Sequence, residues 1–538
     1  MALLPRTNAG LIVWAESGSV NDFDACFWRW RELFVADASV ADTLSCTICS
    51  ELWMMERVCN GTSDKFMNVS NYSTIAEVTA HVRARKVSPV ELVEATLARI
   101  EKLDPKLGAF MHLDAGGARN QALAAEEAVT RGEALGPLHG VPVTVKCNLD
   151  VAGWRCPAGS PLRADYVPTE DAPLVARLRA AGAILLGNTN TPEFLMAWES
   201  DNPIRGGTSN PWNLAHSAGG SSGGEGAAIS SGCSFGGVGS DGGGSIRVPA
   251  HFCGICGLKP TPGRVPSTGH YPAGAGALSW LGVVGPMART IADVRAMFEV
   301  IAGPDAGDAL SAPVPVMDSA RVSERLKGIR IGLLETDALG KATAETEAAV
   351  RRAAKILEGA GFTVEPFRLT GLDRVIECWW FFFGPVVAHL LAGEVKGHEA
   401  TLSPIFQEYF SVALPKKPLS ADAILAARTD RDDLRAEILR QMRDVPILLS
   451  PVSTEPAFRH GGGNYQLGAP HCYRDTMRFS QWTNLTGFPG ATVPLGMSPE
   501  GLPIGVQVIG RPHEEELVLG VAEKIEAARG SWVAPPID

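Results

Sequence analysis

The chain has 538 residues, 45% of them hydrophobic and 20% charged, enough apolar content to bury one large core or two smaller ones and too much for a disordered chain. A formal net charge of −11 and a pI near 5.6, with no block of Lys or Arg, exclude the concentrated basic face that nucleic acid or an anionic membrane demands. Eleven cysteines are too sparse for a disulfide scaffold and odd in number, which points to reduced thiols and a cytoplasmic setting.

Residues 1–66 hold Trp14, Trp28, Trp30, Trp53 and four cysteines without a sustained helical or alternating period. They are read as an atypical extension to a domain spanning 67–538. Asn8, Glu16, Asp22 and Asp24 interrupt any signal-peptide pattern there. The order begins at Ser88-Pro89-Val90-Glu91, a capping signal with proline at the first helical position, followed by Leu92, Val93, Leu97 and Ile100 at helical spacing. That helix is expected to end before Asp104-Pro105. Val141, Val143 and Val145 alternate along a strand that ends at Lys146. A helix over 172–181 then precedes a strand over 183–186; further strands are read over 329–334 and 446–450, and helices over 345–358, 421–442 and 514–527. This alternation predicts an α/β layer structure around a covered sheet. No apolar run reaches the length of a membrane span, the aromatic cluster Trp379–Phe383 being short. Long Pro- and Gly-rich loops over 261–276 and 456–470 are read as functional loops over a site. The pairs Cys46/Cys49 and Cys253/Cys256 lack local histidine partners and are read as buried thiols, with no metal.

The densest signal is GGSSGGEGAAISSGCSFGGVGSDGGGSIR, Gly219 to Arg247. Glycine at this density belongs where backbone turns at positive φ or approaches another group closely, as an oxyanion site requires. With Lys146 upstream, the serines point to a hydrolase whose base is lysine. Two competing motifs fall in the same run. Gly237 to Gly242 matches GxGxxG, but no clear strand precedes it and Pro249 follows where a helix should be running. Gly219 to Gly223 matches the GxSxG elbow of an α/β-hydrolase, with Ser221 as nucleophile, but the preceding 213–218 is polar and loop-like.

Taken together, Lys146, the Gly219–Gly224 run and Gly243-Gly244-Ser245-Ile246-Arg247 resemble the amidase signature family. The likeness extends through FCGICGLKPT (252–261), GVPVTVKCNLDVAG (140–153), GNTNTPEF (187–194), Asn484 to Pro494 and Gly501 to Gln507. It implies an amidase signature fold over 67–538, a central mixed β-sheet covered on both sides by α-helices. It also implies a Ser-Ser-Lys triad: Ser245 as nucleophile, Ser221 as bridging serine in a cis peptide, Lys146 as terminal base. The backbone N–H groups of Gly242, Gly243, Gly244 and Ser245 would form the oxyanion hole, with Ser222, Asp241 and Arg247 in support. Ser240 stands where most of the family has threonine, keeping the hydroxyl.

The resemblance implies a cofactor-free serine hydrolase that cleaves C–N bonds of amides, and aryl carbamates (as a urethanase) and esters, through an acyl-enzyme. The look is closest to the fatty-acid-amide-like and carbamate-cleaving members. Leu195, Met196, Trp198, Trp280 and Phe382 are the pocket candidates for an aryl or alkyl acyl group. Small molecules, not nucleic acid or membrane, are the expected partners, with a homodimer as the assembly the resemblance admits. The alternative is the glutaminase subunit of a tRNA-dependent amidotransferase, which would need a tRNA-binding partner.

Overall fold

A computed structural model describes residues 69–273, 276, 279–334 and 340–537; the extension read over 1–66, with Cys46 and Cys49, lies outside the described residues. The strands are β1 (Phe110–Leu113), β2 (Pro142–Lys146), β3 (Ile184–Thr189), β4 (Ser209–Asn210), β5 (Asn213–Ser217), β6 (Gly236–Asp241), β7 (Cys256–Lys259), β8 (Val283–Ala288), β9 (Arg330–Leu333), β10 (Thr363–Pro366), β11 (Ile447–Pro451), β12 (Gly490–Met497) and β13 (Pro503–Gly510). Eleven of them form one sheet in the order β1-β3-β2-β6-β8-β7-β12-β13-β11-β9-β10, while β4 and β5 make a separate pair. Pairing is parallel for β3/β2, β2/β6, β11/β9 and β9/β10, and antiparallel for the remaining neighbours. This is the mixed α/β sheet expected. Every residue of β2, β3, β6, β7, β8, β11 and β13 is buried, the signature of strands covered on both faces by helices.

Alternation along β2 explains how it serves the site. Val143 and Val145 enter the main hydrophobic core, and full burial of each such side chain stabilises the fold by about 1.5–3 kcal/mol. Thr144 and Lys146 therefore project to the other face, where Thr144 Oγ1 donates to Glu225 Oε2 at 2.6 Å.

Several boundaries depart from the sequence reading. The helix Pro89–Leu107 runs through Asp104-Pro105 and stops at Gly108, which takes a left-handed φ of 61°. Pro105 lies in its last turn, so only one backbone bond is lost there. Asp104 Oδ1 meanwhile accepts from Ala109 and Phe110 N at 2.7 and 3.1 Å. Pro249 sits inside the helix Arg247–Cys253, in the first turn, where a missing N–H costs nothing. The stretch 213–217, read as loop, is β5, although it pairs with β4 and not with the main sheet.

The aromatic cluster belongs to a continuous helix made of Leu372–Phe381, a π-turn Phe382–Val386 and Val387–Val395. Pro385 lies within the widened turn; lacking an N–H and crowding the carbonyl four residues back, it accounts for the change of pitch. By length and mean hydropathy alone this 24-residue helix could cross a membrane, although Asp373, Arg374, Glu377 and Glu394 leave no run of about 18 consecutive apolar residues in it. Yet 61% of its most apolar window is buried inside the protein, against a second core that includes Trp198, Phe406, Tyr409 and Trp482.

Candidate active site

β2 ends at Lys146 and β6 ends at Asp241, neighbours in the sheet, so the lysine and the glycine-rich loop after β6 meet at one edge. Lys146 is wholly buried. Its Nζ lies 2.6 Å from Ser221 Oγ and 3.1 Å from Ser240 Oγ, so the hydroxyl retained at 240 is the second partner of the ammonium. Burial lowers the lysine pKa from 10.5 to about 7, against smaller opposing effects of Cys147, Asp241 and Glu225. Desolvation disfavours the charged form, and no carboxylate touches Nζ to restore it. Glu225, on the helix Gly223–Ser230, is buried under the site and accepts from Thr144 and Thr189 hydroxyls; burial raises its pKa to about 8.

The Gly220–Ser221 peptide is cis. Thr191 Oγ1 donates to the Ser221 carbonyl at 2.6 Å, and Ser200 Oγ donates to the Gly219 carbonyl at 3.0 Å while accepting from Gly223 N at 3.0 Å. Ser221 is thus clamped from both sides. Ser222 does not face the lysine; its hydroxyl bridges the Ser240 backbone, accepting from N and donating to O at 3.3 Å each. Ser245, 7% exposed, lines the same cavity as Ser221, and among the described residues its hydroxyl makes no hydrogen bond. Its carbonyl accepts from Ser222 N at 3.2 Å, which joins the two serine segments.

Asp241 and Arg247 form a fully buried bidentate pair at 2.9 and 3.0 Å. Burial alone would raise the Asp241 pKa, but the Arg247 charge and its hydrogen bonds outweigh that and hold the carboxyl well below the usual range. Arg247 also donates to Thr483, Gln507 and Asn484, each at 2.6 Å, so every arm of the guanidinium is spent. The carboxylate gathers the N–H groups of Gly244, Ile246 and Arg247, which corrects the reading of Gly244: its N–H is committed to Asp241 Oδ1 at 2.7 Å and is not free for an oxyanion. Gly242, Gly243 and Ser245 make no backbone N–H bond among the described residues. Trp379 Nε1 donates to the Gly242 carbonyl and Trp198 Nε1 to the Gly243 carbonyl, at 2.9 and 3.2 Å. Because N–H and C=O of one planar peptide point oppositely, the first bond turns the Gly243 N–H away from the indoles.

The cavity above these groups encloses about 550 Å³, part of it open to solvent, and is walled by Leu195, Met196, Leu281, Phe383, Val387 and the 270–273 loop beside Ser221, Ser240, Asp241, Gly242 and Ser245. Of the predicted pocket residues, Leu195 and Met196 line it. Trp198, Trp280 and Phe382 do not: Trp198 backs the glycine loop, and Trp280 packs edge-on against Phe382 at 4.8 Å. Phe383 and Val387 take the wall instead, four residues apart across the π-turn. The loop over 261–276 does supply wall residues, namely His270, Pro272 and Ala273. His270 was not anticipated; no period marks a residue in a loop. From 456–470, Tyr465 reaches the Met196 carbonyl at 2.6 Å and supports the wall from behind. The GxGxxG glycines lie in and just after β6 and make no phosphate-binding turn. Cys253 and Cys256 are both buried and free.

The amidase family profile matches residues 91–519. A glutamyl-tRNA(Gln) amidotransferase subunit of Synechococcus sp. (strain CC9605) is 34% identical over 488 residues, covering 86% of this chain and 98% of that protein. The structure of 6-aminohexanoate cyclic dimer hydrolase complexed with substrate superimposes with a TM-score of 0.77 at 28% identity, over 87% of this chain and 100% of that one. A bacterial aryl acylamidase of the amidase signature family does so with a TM-score of 0.76 at 26% identity, over 85% and 97%.

Proposed function

The chain belongs to the amidase family of C–N hydrolases, and from that membership we propose a free-standing amidase that cleaves amides with an aryl or alkyl acyl group through an acyl-enzyme on Ser245. The observation that carries the reading is the dry contact of Lys146 Nζ with Ser221 Oγ at 2.6 Å, on the wall that also holds Ser245. Neutral Lys146 takes the Ser221 proton while Ser221 takes that of Ser245, and Ser245 Oγ bonds to the substrate carbonyl carbon. The oxyanion is received by N–H groups of Gly242, Gly243 and Ser245. The C–N bond then breaks as the departing nitrogen takes a proton back from Ser221, which Lys146 resupplies. Water, deprotonated by the same relay, cleaves the ester bond to Ser245.

Leu195, Met196, Leu281, Phe383 and Val387 supply an apolar wall. Such a wall discriminates weakly, so aryl carbamates and esters belong to the proposed range, as in the fatty-acid-amide-like and carbamate-cleaving members. A glutaminase subunit is the second reading, favoured by the likeness to the glutamyl-tRNA(Gln) amidotransferase protein. Against it, no Lys or Arg among the described residues lines the cavity, and the carboxylate there, Asp241, is consumed by Arg247. The charged ends of free glutamine would therefore stay unpaired.

The purified protein, incubated with aryl amides, an aryl carbamate, an aryl ester and glutamine, should turn over the aryl substrates and carry acyl mass on Ser245, and Ser245→Ala should carry none. Turnover of glutamine alone would transfer the assignment to the second reading.

A further inference from the structure

From Asp241 to Ser245 every carbonyl of the glycine loop is anchored, but the anchors differ in what they are attached to. The Asp241 carbonyl accepts from Asn484 Nδ2 at 2.8 Å, the Gly244 carbonyl from Val248 N at 2.7 Å and the Ser245 carbonyl from Ser222 N at 3.2 Å. All three partners are buried and none lines the cavity. The peptide between Gly243 and Gly244 is tied at both ends, its carbonyl to Trp198 Nε1 at 3.2 Å and its N–H to Asp241 Oδ1 at 2.7 Å. The peptide between Gly242 and Gly243 has one tie among the described residues: its carbonyl accepts from Trp379 Nε1 at 2.9 Å. It joins two glycines, whose backbone no side chain of their own restrains. Trp379 therefore decides where the Gly243 N–H points.

Trp379 is in turn joined to the acyl pocket. Four residues further along the same helix, Phe383 stacks on its indole with ring centroids 4.5 Å apart and planes at 17°, and Phe383 lines the cavity together with Gly242 and Ser245. The indole also lies so close to the loop that a Cβ placed on Gly243 would stand 2.6 Å from its Cζ2. In a close-packed interior such a ring cannot move without moving the loop. An acyl group lying against Phe383 thus bears on the ring that aims the Gly243 N–H. Resting on the amidase reading above, we propose that Phe383 and Trp379 relay the filling of the acyl pocket to the oxyanion donor, so that acyl size is selected in kcat and not in binding alone. Contacts with a remote acyl chain are then spent on fixing a donor that matters once the carbonyl oxygen is charged. Trp379 is a positioning residue; it touches neither the substrate nor the reacting atoms.

The test uses the anilides of acetic, butyric and hexanoic acid, which share one leaving group, and pentyl trifluoromethyl ketone with its reduced carbinol. Ser245 Oγ bonds to the ketone carbon, the carbonyl electron pair becomes an oxyanion and the Oγ proton passes to Ser221; the carbinol fills the same pocket and forms no oxyanion. In wild type, kcat should rise at least about fivefold from the acetyl to the hexanoyl anilide. Trp379→Phe keeps a ring and loses the N–H. It should lower kcat for the hexanoyl anilide at least about tenfold, flatten the rise with acyl length, and weaken inhibition by the ketone at least about tenfold. KM and inhibition by the carbinol should stay within about twofold of wild type. Should Trp379→Phe not fold, Phe383→Leu tests the same relay: the wall stays apolar and the stack is lost, so the rise in kcat should flatten. A wild-type kcat that does not rise, a Trp379→Phe kcat within about twofold of wild type, an equal weakening of ketone and carbinol, or an undiminished rise in Phe383→Leu overturns the relay while leaving the amidase reading intact. Wild-type protein that turns over none of the anilides, with no mass added to Ser245, overturns both.

Discussion

Acid should silence this enzyme in proportion to the protonation of Lys146. At the ordinary pKa only about one lysine in 3,000 is neutral at pH 7, too few for a base. Burial at the end of β2 brings the value to about 7, so about half are neutral there. kcat/KM for an aryl amide should then rise about tenfold per pH unit below neutrality, flatten above pH 7 to 8, and at pH 5 stand at about 1% of its plateau. Initial rates across pH 5 to 9 at constant ionic strength measure this. Two variants sharpen it. Lys146→Arg stays charged throughout and should be inactive with no rising limb. Glu225→Gln replaces a carboxyl that burial keeps protonated below about pH 8, and should leave the limb in place. A wild-type profile flat from pH 5 to 8, or one half-maximal only at about pH 9 or above, would refute Lys146 as the dry base.

Lys146→Ala should lose amide turnover by at least about a hundredfold, and ester turnover by less, because an amine needs a proton to leave and an aryloxide does not; equal losses in parallel assays would count against the proton return. In Gly243→Ala the added methyl would stand 2.6 Å from Trp379 Cζ2 and 2.9 Å from Trp198 Cζ2. Neither indole can withdraw without breaking its bond to the loop, so a stability loss of about 1–3 kcal/mol and collapse of kcat are expected, read by urea unfolding and kinetics. Arg247→Met strands the buried Asp241 carboxylate and should cost about 3–5 kcal/mol; an unfolding midpoint unchanged from wild type would deny the pair its role.

Lys146 was legible because Val141, Val143 and Val145 alternate up to it and a strand end is where a side chain meets a loop. Ser221 and Ser245 were legible through the resemblance, since the glycine run alone fits three motifs. What escaped has physical causes. Phe382 and Phe383 are adjacent, and only the π-turn at Pro385 decides which of them faces the cavity. Trp198 reads as a pocket residue by composition, yet its indole N–H is drawn to the Gly243 carbonyl. Gly244 looked like an oxyanion donor until Asp241 proved to need its N–H. His270 sits in a loop without period, and its bond to the Pro272 carbonyl exists only once the loop is folded.

A lysine kept dry also writes itself into the stability of the fold. Between about pH 7 and 10.5 the unfolded chain binds a proton at residue 146 that the folded chain does not, so stability rises with pH across that window and the full penalty is present below it. Lys259, buried in β7 and likewise lowered to about 7, adds a contribution of the same sign. Glu225 opposes them: raised from 4.5 to about 8, it binds a proton in the folded state that the unfolded chain releases, and favours the fold less as pH climbs to 8. Above that point the two lysines still add stability as pH climbs, and they are opposed by the thiols of Cys147, Cys156, Cys233 and Cys378, which burial pushes up so that the unfolded chain releases protons near pH 9 that the folded chain keeps. At residue 146 the two properties share one proton: the ionisation that frees Nζ as a base is the one whose loss the fold favours.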